Sequence, residues 1–104
     1  MKKYIQVFTT VGSIKEAEKI ANVLVKNKLS ACVQIFPVNS FYKWKGKTEN
    51  KKEWMMIIKT EKRLYKKIEK AIKENHSYEL PEIIFIPIEK GNTDYLKWVS
   101  KQLI

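Results

Sequence analysis

Asn39-Ser40-Phe41-Tyr42-Lys43-Trp44-Lys45-Gly46-Lys47-Thr48 runs out to one glycine and turns back, and the chain returns through Trp54-Met55-Met56-Ile57-Ile58-Lys59-Thr60. Lys45-Gly46-Lys47 is the reversal, because Gly46 can take a positive φ at no steric cost. Both arms are rich in aromatic and β-branched residues, so the stretch predicts a β-hairpin. The arms are long for a chain of 104 residues, so the hairpin is expected to project beyond the main sheet. Trp54 to Ile58 is apolar at every position, which is the pattern of an inner strand covered on both faces or covered by another chain.

Working outward, Leu29-Ser30-Ala31 leads into Cys32-Val33-Gln34-Ile35-Phe36, a strand whose ladder Pro37 interrupts as at an edge or bend. Ahead of it, Ile14, Ala17, Ile20, Ala21, Leu24 and Val25 fall at helical spacing from Ser13 to about Lys28. Ser13 and Glu16 have the spacing of a capping box. Tyr4 to Thr10 predicts the first strand. After the hairpin, Thr60 is placed to cap a helix over Glu61–Asn75 with Leu64, Ile68, Ala71 and Ile72 inward. Pro81 forces irregular backbone at Leu80, Glu82 to Ile86 predicts a strand ended by Pro87, and Asp94 is read as the cap of a final helix over Tyr95–Leu103.

The order β-α-β-β-α-β-α contains two βαβ units joined by a hairpin. Right-handed crossovers then give an α+β, ferredoxin-like sandwich with a long hairpin and a C-terminal helix, in a single domain over 1–104. Helices cover one face of such a sheet, and the other face is too apolar here to stand in water. Phe41, Tyr42 and Trp44 surround a turn where one copy has little core to offer, and burying each is worth about 1.5–3 kcal/mol. Together with Trp54 they are the candidate interface of a symmetric oligomer, although they could instead fold back over their own sheet.

The chain carries 21 basic and 11 acidic residues, a formal charge of +10. Arg63 is the only arginine and the lysines are spread along the whole length, so specific nucleic-acid recognition is disfavoured. No apolar run approaches the ~20 residues that span a bilayer, and no signal-peptide pattern follows Met1, so a cytoplasmic location is expected and no membrane partner. Cys32 is the lone cysteine and His76 the lone histidine, which excludes an intrachain disulfide and a Cys₂His₂ zinc site. Isolated glycines exclude a phosphate loop, and a nucleophilic triad lacks a spare base, so no enzyme and no catalytic residue are expected. The densest polar cluster is His76-Ser77-Tyr78-Glu79-Leu80-Pro81-Glu82. His76, Glu79 and Glu82 fall three apart, a thin ligand set for copper or zinc that Cys32 or a second copy would improve. The alternative is that these groups hydrogen-bond and pair with lysines at a subunit boundary.

Five stretches carry a resemblance: Leu29-Ser30-Ala31-Cys32-Val33, Tyr42-Lys43-Trp44-Lys45-Gly46-Lys47, Ile57-Ile58-Lys59-Thr60, His76 through Ile83, and Gly91-Asn92-Thr93-Asp94-Tyr95-Leu96-Lys97-Trp98. In this order the sequence resembles the CutA family of divalent-cation tolerance proteins. The resemblance implies a homotrimer similar to the PII signalling proteins, with hairpins interlocked about the threefold axis. It implies a link to copper or another divalent cation in clefts between subunits, with no other cofactor required. Carried onto this chain, the metal residues are His76 and Glu82, with Cys32 and then Glu79 as further candidates. Ser77 stands where the family usually has proline, Thr9 where some members have a cysteine offered as a copper ligand, and Asn75 where some have a second histidine. Two other functions compete. One is a PII-like regulatory module in which Lys47 and Lys59 meet a small anionic ligand or a partner protein docks in the clefts. The other, remote, is RNA binding on the sheet, for which the strand Lys52 to Ile58 lacks the aromatic motif.

Overall fold

The structure is a computed structural model describing residues 3–104. The elements follow in the order β1 (Tyr4–Val11), α1 (Ile14–Lys26), β2 (Cys32–Trp44), β3 (Lys47–Glu61), a 3₁₀ turn (Lys62–Leu64), α2 (Tyr65–Asn75), β4 (Ile83–Pro87) and α3 (Thr93–Lys101). The four strands form one sheet in the order β2-β3-β1-β4, every neighbouring pair antiparallel, which is the expected ferredoxin-like arrangement. β3 is an inner strand, as its apolar run predicts. The hairpin is paired from Cys32↔Lys59 out to Trp44↔Lys47. It turns on Lys45 and Gly46 at φ of 51° and 81°, the left-handed pair of a two-residue loop. Pro37 does not break β2, which is continuous; as the sheet's edge strand it has no outer partner that needs the missing N–H.

Strand alternation sorts the sheet. Ile5, Val7, Val11, Met56 and Ile58 face the helix layer and pack with Ala17, Ile20 and Leu24 of α1 and Ile68 and Ile72 of α2. Phe8, Met55, Ile57, Ile84 and Ile86 face the other way. α3 crosses to this second face and covers one end of it. Ser100 donates to Glu61 and accepts from the Tyr4 hydroxyl at 2.7 Å, and both partners lie on that face. The rest of the face is open: Phe36 is 41% exposed and Ile84 and Ile86 are each 50% exposed. Among the described residues, no helix is long and apolar enough to cross a membrane.

Three local expectations are corrected. Thr60 caps no helix; it is the penultimate residue of β3, and its hydroxyl donates to the Leu29 carbonyl at 2.7 Å. α2 starts at Tyr65, after the 3₁₀ turn. Asp94 sits in the first turn of α3, and the cap is Asn92, whose side chain accepts from the Tyr95 N–H. Ser13 does cap α1, but the Glu16 carboxylate that would complete a capping box is drawn elsewhere, into the site below.

Candidate functional site

The segment 76–82 crosses the end of β1 and is tied to three elements. The His76 side chain is fully buried, at 0% exposure. Its Nδ1 accepts from the Tyr78 N–H at 3.1 Å, which leaves Nε2 as the protonated nitrogen, and Nε2 donates to the Thr10 carbonyl at 2.8 Å. Glu16 of α1 accepts from both the backbone N–H and the hydroxyl of Ser77, at 3.0 and 2.9 Å. The Tyr78 hydroxyl donates to Glu53 of β3 at 2.7 Å. Burial and the neighbouring Glu53 carboxylate hold the Tyr78 phenol well above its ordinary range, so it remains a donor. Gly12 lies close beneath this ring: a Cβ there would stand 3.3 Å from the Tyr78 oxygen, a tight contact that would press on the ring.

Between this segment and the hairpin lies a cleft of about 720 Å³. Phe41, Tyr42, Trp44 and Tyr78 supply its aromatic walls. Glu49, Glu53, Glu79 and Glu82 line it, against Lys43 and Lys51. In a chain of net charge +10, the cleft therefore carries more carboxylates than ammonium groups. Lys45 spans it from the hairpin tip to Glu79 at 3.8 Å.

The residues expected to ligate metal are not gathered into a site within one subunit. Both His76 nitrogens are committed to backbone groups. Cys32 is paired with Lys59, while Thr10 at the His76 contact is paired with Met55, four residues away or about 13 Å along β3. Glu79 and Glu82 do share the cleft. Among the described residues, no three His, Cys, Asp or Glu side chains come together as a metal-ligand group. Thr9 points into the helix-side core, 0% exposed, rather than toward the cleft. Lys47 and Lys59, the residues expected to meet an anion, do not line the cleft, and Lys59 instead lies over the Tyr95 ring. Of the expected interface residues, Phe41 is 72% exposed and Tyr42 and Trp44 line the cleft. Trp54 faces the helix side and packs against the subunit's own core.

Sequence reasoning gave no role to Glu53, which is 4% exposed. A signal was present: Glu53 immediately precedes the apolar run Trp54 to Ile58 and falls in phase with Met55 and Ile57 on one face of β3.

A four-stranded antiparallel sheet, two helices on one face, a third helix on the other and a cleft under an overlong hairpin define a ferredoxin-like α+β subunit of the hairpin-bearing kind. The family of CutA1 divalent ion tolerance proteins matches residues 5–102. The chain belongs to that family. It is 42% identical over 95 residues to the divalent-cation tolerance protein CutA of Archaeoglobus fulgidus, covering 91% of this chain and 93% of that one. The solved structure of the A. fulgidus protein, named as periplasmic, superposes with a TM-score of 0.94 at 40% identity, over 95% of this chain and 97% of that one. Protein CutA of Homo sapiens is 41% identical over 95 residues, 90% of this chain, and there the match spans 53% of the relative's length.

Proposed function

We propose that the protein serves divalent-cation tolerance as a closed homotrimer of PII-like outline, in the cytoplasm. The observation that carries the assembly is the open sheet face. Phe36, Ile84 and Ile86 remain about half exposed, and covering each would contribute on the order of 1 kcal/mol. The β2 edge is unpaired within the subunit and carries Phe41, 72% exposed, so a neighbouring copy would cover edge and face together. The names of the relatives support the cation role. Copper, or another divalent cation, would have to be met by Glu79 and Glu82 or by groups that two copies bring together, because His76 is already spent on the backbone. A location in the cytoplasm suits the single free thiol of Cys32.

Sedimentation at micromolar concentration tests the assembly. The wild-type chain should run at the mass of three copies, and Ile84→Glu should shift it toward smaller species. A well-folded single copy would end the proposal. Calorimetric titration with Cu(II) tests the cation: Glu82→Gln should weaken uptake, whereas equal binding by the two proteins would remove the cleft from the cation's path.

A further inference from the structure

Glu53 is a buried acid whose one hydrogen bond comes from Tyr78 and whose charge has no cationic partner among the described residues. Its side chain is 4% exposed and lines the cleft. One oxygen takes the Tyr78 hydrogen bond, yet among the described residues no lysine, arginine or histidine forms an ion pair with the carboxylate. A buried carboxylate without a cation is costly, and this chain has 21 basic residues from which to supply one. The room beside it is lined by aromatic rings, among them Tyr42 on the hairpin and Tyr78 on the loop. Aromatic faces attract cations and also take apolar groups. A volume of about 720 Å³ lies in the range of small-molecule sites.

We propose that the cleft is a receptor for a small organic ammonium ion: a primary amine with a short apolar or aromatic tail. The ammonium head pairs with Glu53, with Glu82 as the second carboxylate. The tail lies along Tyr42 and Trp44. The aromatic walls suit an organic cation, and an anion would meet four carboxylates against Lys43, Lys51 and the Lys45 that reaches Glu79. This site shares Glu82 and the cleft with the cation-tolerance reading but needs no metal, so amine binding in a chelator separates the two.

The test is calorimetric titration of the full chain, in its own oligomeric state and with a chelator present. The probes are phenethylammonium and, as the anionic counterpart of like shape, phenylacetate. The expected result is saturable binding of phenethylammonium, one per chain, with a change in tryptophan emission from Trp44, and no binding of phenylacetate. Glu53→Gln keeps an acceptor for the Tyr78 hydroxyl and should weaken the amine about tenfold or more. Glu82→Gln, at an exposed residue, should weaken it without touching the core, and so separates lost charge from lost fold. Absence of saturable binding up to about 10 mM would overturn the proposal, and is the outcome if a lysine of a neighbouring copy already fills the place. Equal affinity of wild type and Glu53→Gln, or equal uptake of phenylacetate, would overturn it as well.

Discussion

Thr9→Val should make this protein more stable. Thr9 is an inner position of β1, paired with Met56 on one side and Ile83 on the other, and is 0% exposed. Its hydroxyl is the one buried side-chain polar atom among the described residues that has no hydrogen-bond partner. Valine has the same branched shape and suits a strand, so the substitution changes the chemistry of one atom and little else. Mutational data put the cost of burying an unpaired hydroxyl at about 1–3 kcal/mol, and replacing it with a methyl group should recover about 1–2 kcal/mol. For a domain of this size each kcal/mol moves Tm by about 4–8 °C. The assay is thermal unfolding followed by circular dichroism, at equal protein concentration, since association adds to apparent stability. A fall in Tm for Thr9→Val would refute the reasoning. It would mean that the hydroxyl is satisfied in solution, by an ordered water for example, and that the core at Thr9 is not dry.

Three further outcomes follow from other parts of the molecule. Burial pushes the Glu61 carboxyl up, but hydrogen bonds from Ser100 and Arg63 and the charges of Lys3 and Arg63 outweigh it, so its pKa lies below the ordinary 4.5. A depressed carboxyl stabilises the fold above its unfolded value and loses that contribution as pH falls through the folded value. The Tm gap between wild type and Glu61→Gln should therefore be full at neutral pH and narrow below about pH 4.5, and a gap independent of pH would be inconsistent with this. Arg63 reaches Glu61 through Nε and the Ile104 carbonyl through Nη2, both at 2.7 Å, which a lysine cannot do at once. Because Arg63 is half exposed, Arg63→Lys should cost only about 1 kcal/mol in denaturant unfolding, and no loss at all would show the fork to be idle. Gly46 sits at φ 81° with open space around it, so Gly46→Ala should destabilise by about 1 kcal/mol through the backbone alone; an unchanged midpoint would mean the turn has another conformation.

The elements that local pattern controls were legible in the sequence. Ile20 and Leu24 announce α1 by their spacing, and Gly46 between aromatic arms announces the hairpin. What misled was chemistry with more than one outlet. A threonine before a helix and a threonine bonding a remote loop look the same in one dimension, and Thr60 took the second course toward Leu29. The docking of α3 was invisible because it rests on Tyr4, Glu61 and Ser100, and the first and last of these lie 96 residues apart. His76 was legible as a histidine among carboxylates but not as a histidine already bonded at both nitrogens. A sequence displays donors and acceptors without their commitments.

Those commitments explain why the cleft lies where it does. Glu16 gives up its role in the α1 capping box to hold Ser77, so the start of that helix and the loop are fixed to each other. His76 ties the loop to β1 through Thr10, and Tyr78 ties it to β3 through Glu53. A loop anchored to three elements of the core is no longer a mobile connection, and the side chains beyond it, Glu79 and Glu82, are presented from a fixed base. The opposite wall is the outer half of the hairpin, which beyond the Tyr78–Glu53 bond meets the loop through the exposed Lys45–Glu79 pair, an interaction worth about 0–1 kcal/mol. One wall is rigid and the other is held weakly at its tip. Ligands or neighbouring copies that occupy the cleft must therefore act on the hairpin, and Glu79→Gln should raise amide exchange at 43–47 while leaving 76–78 protected. Equal exchange in both segments would show that hairpin and loop move as one body, and the cleft would then have no wall free to close.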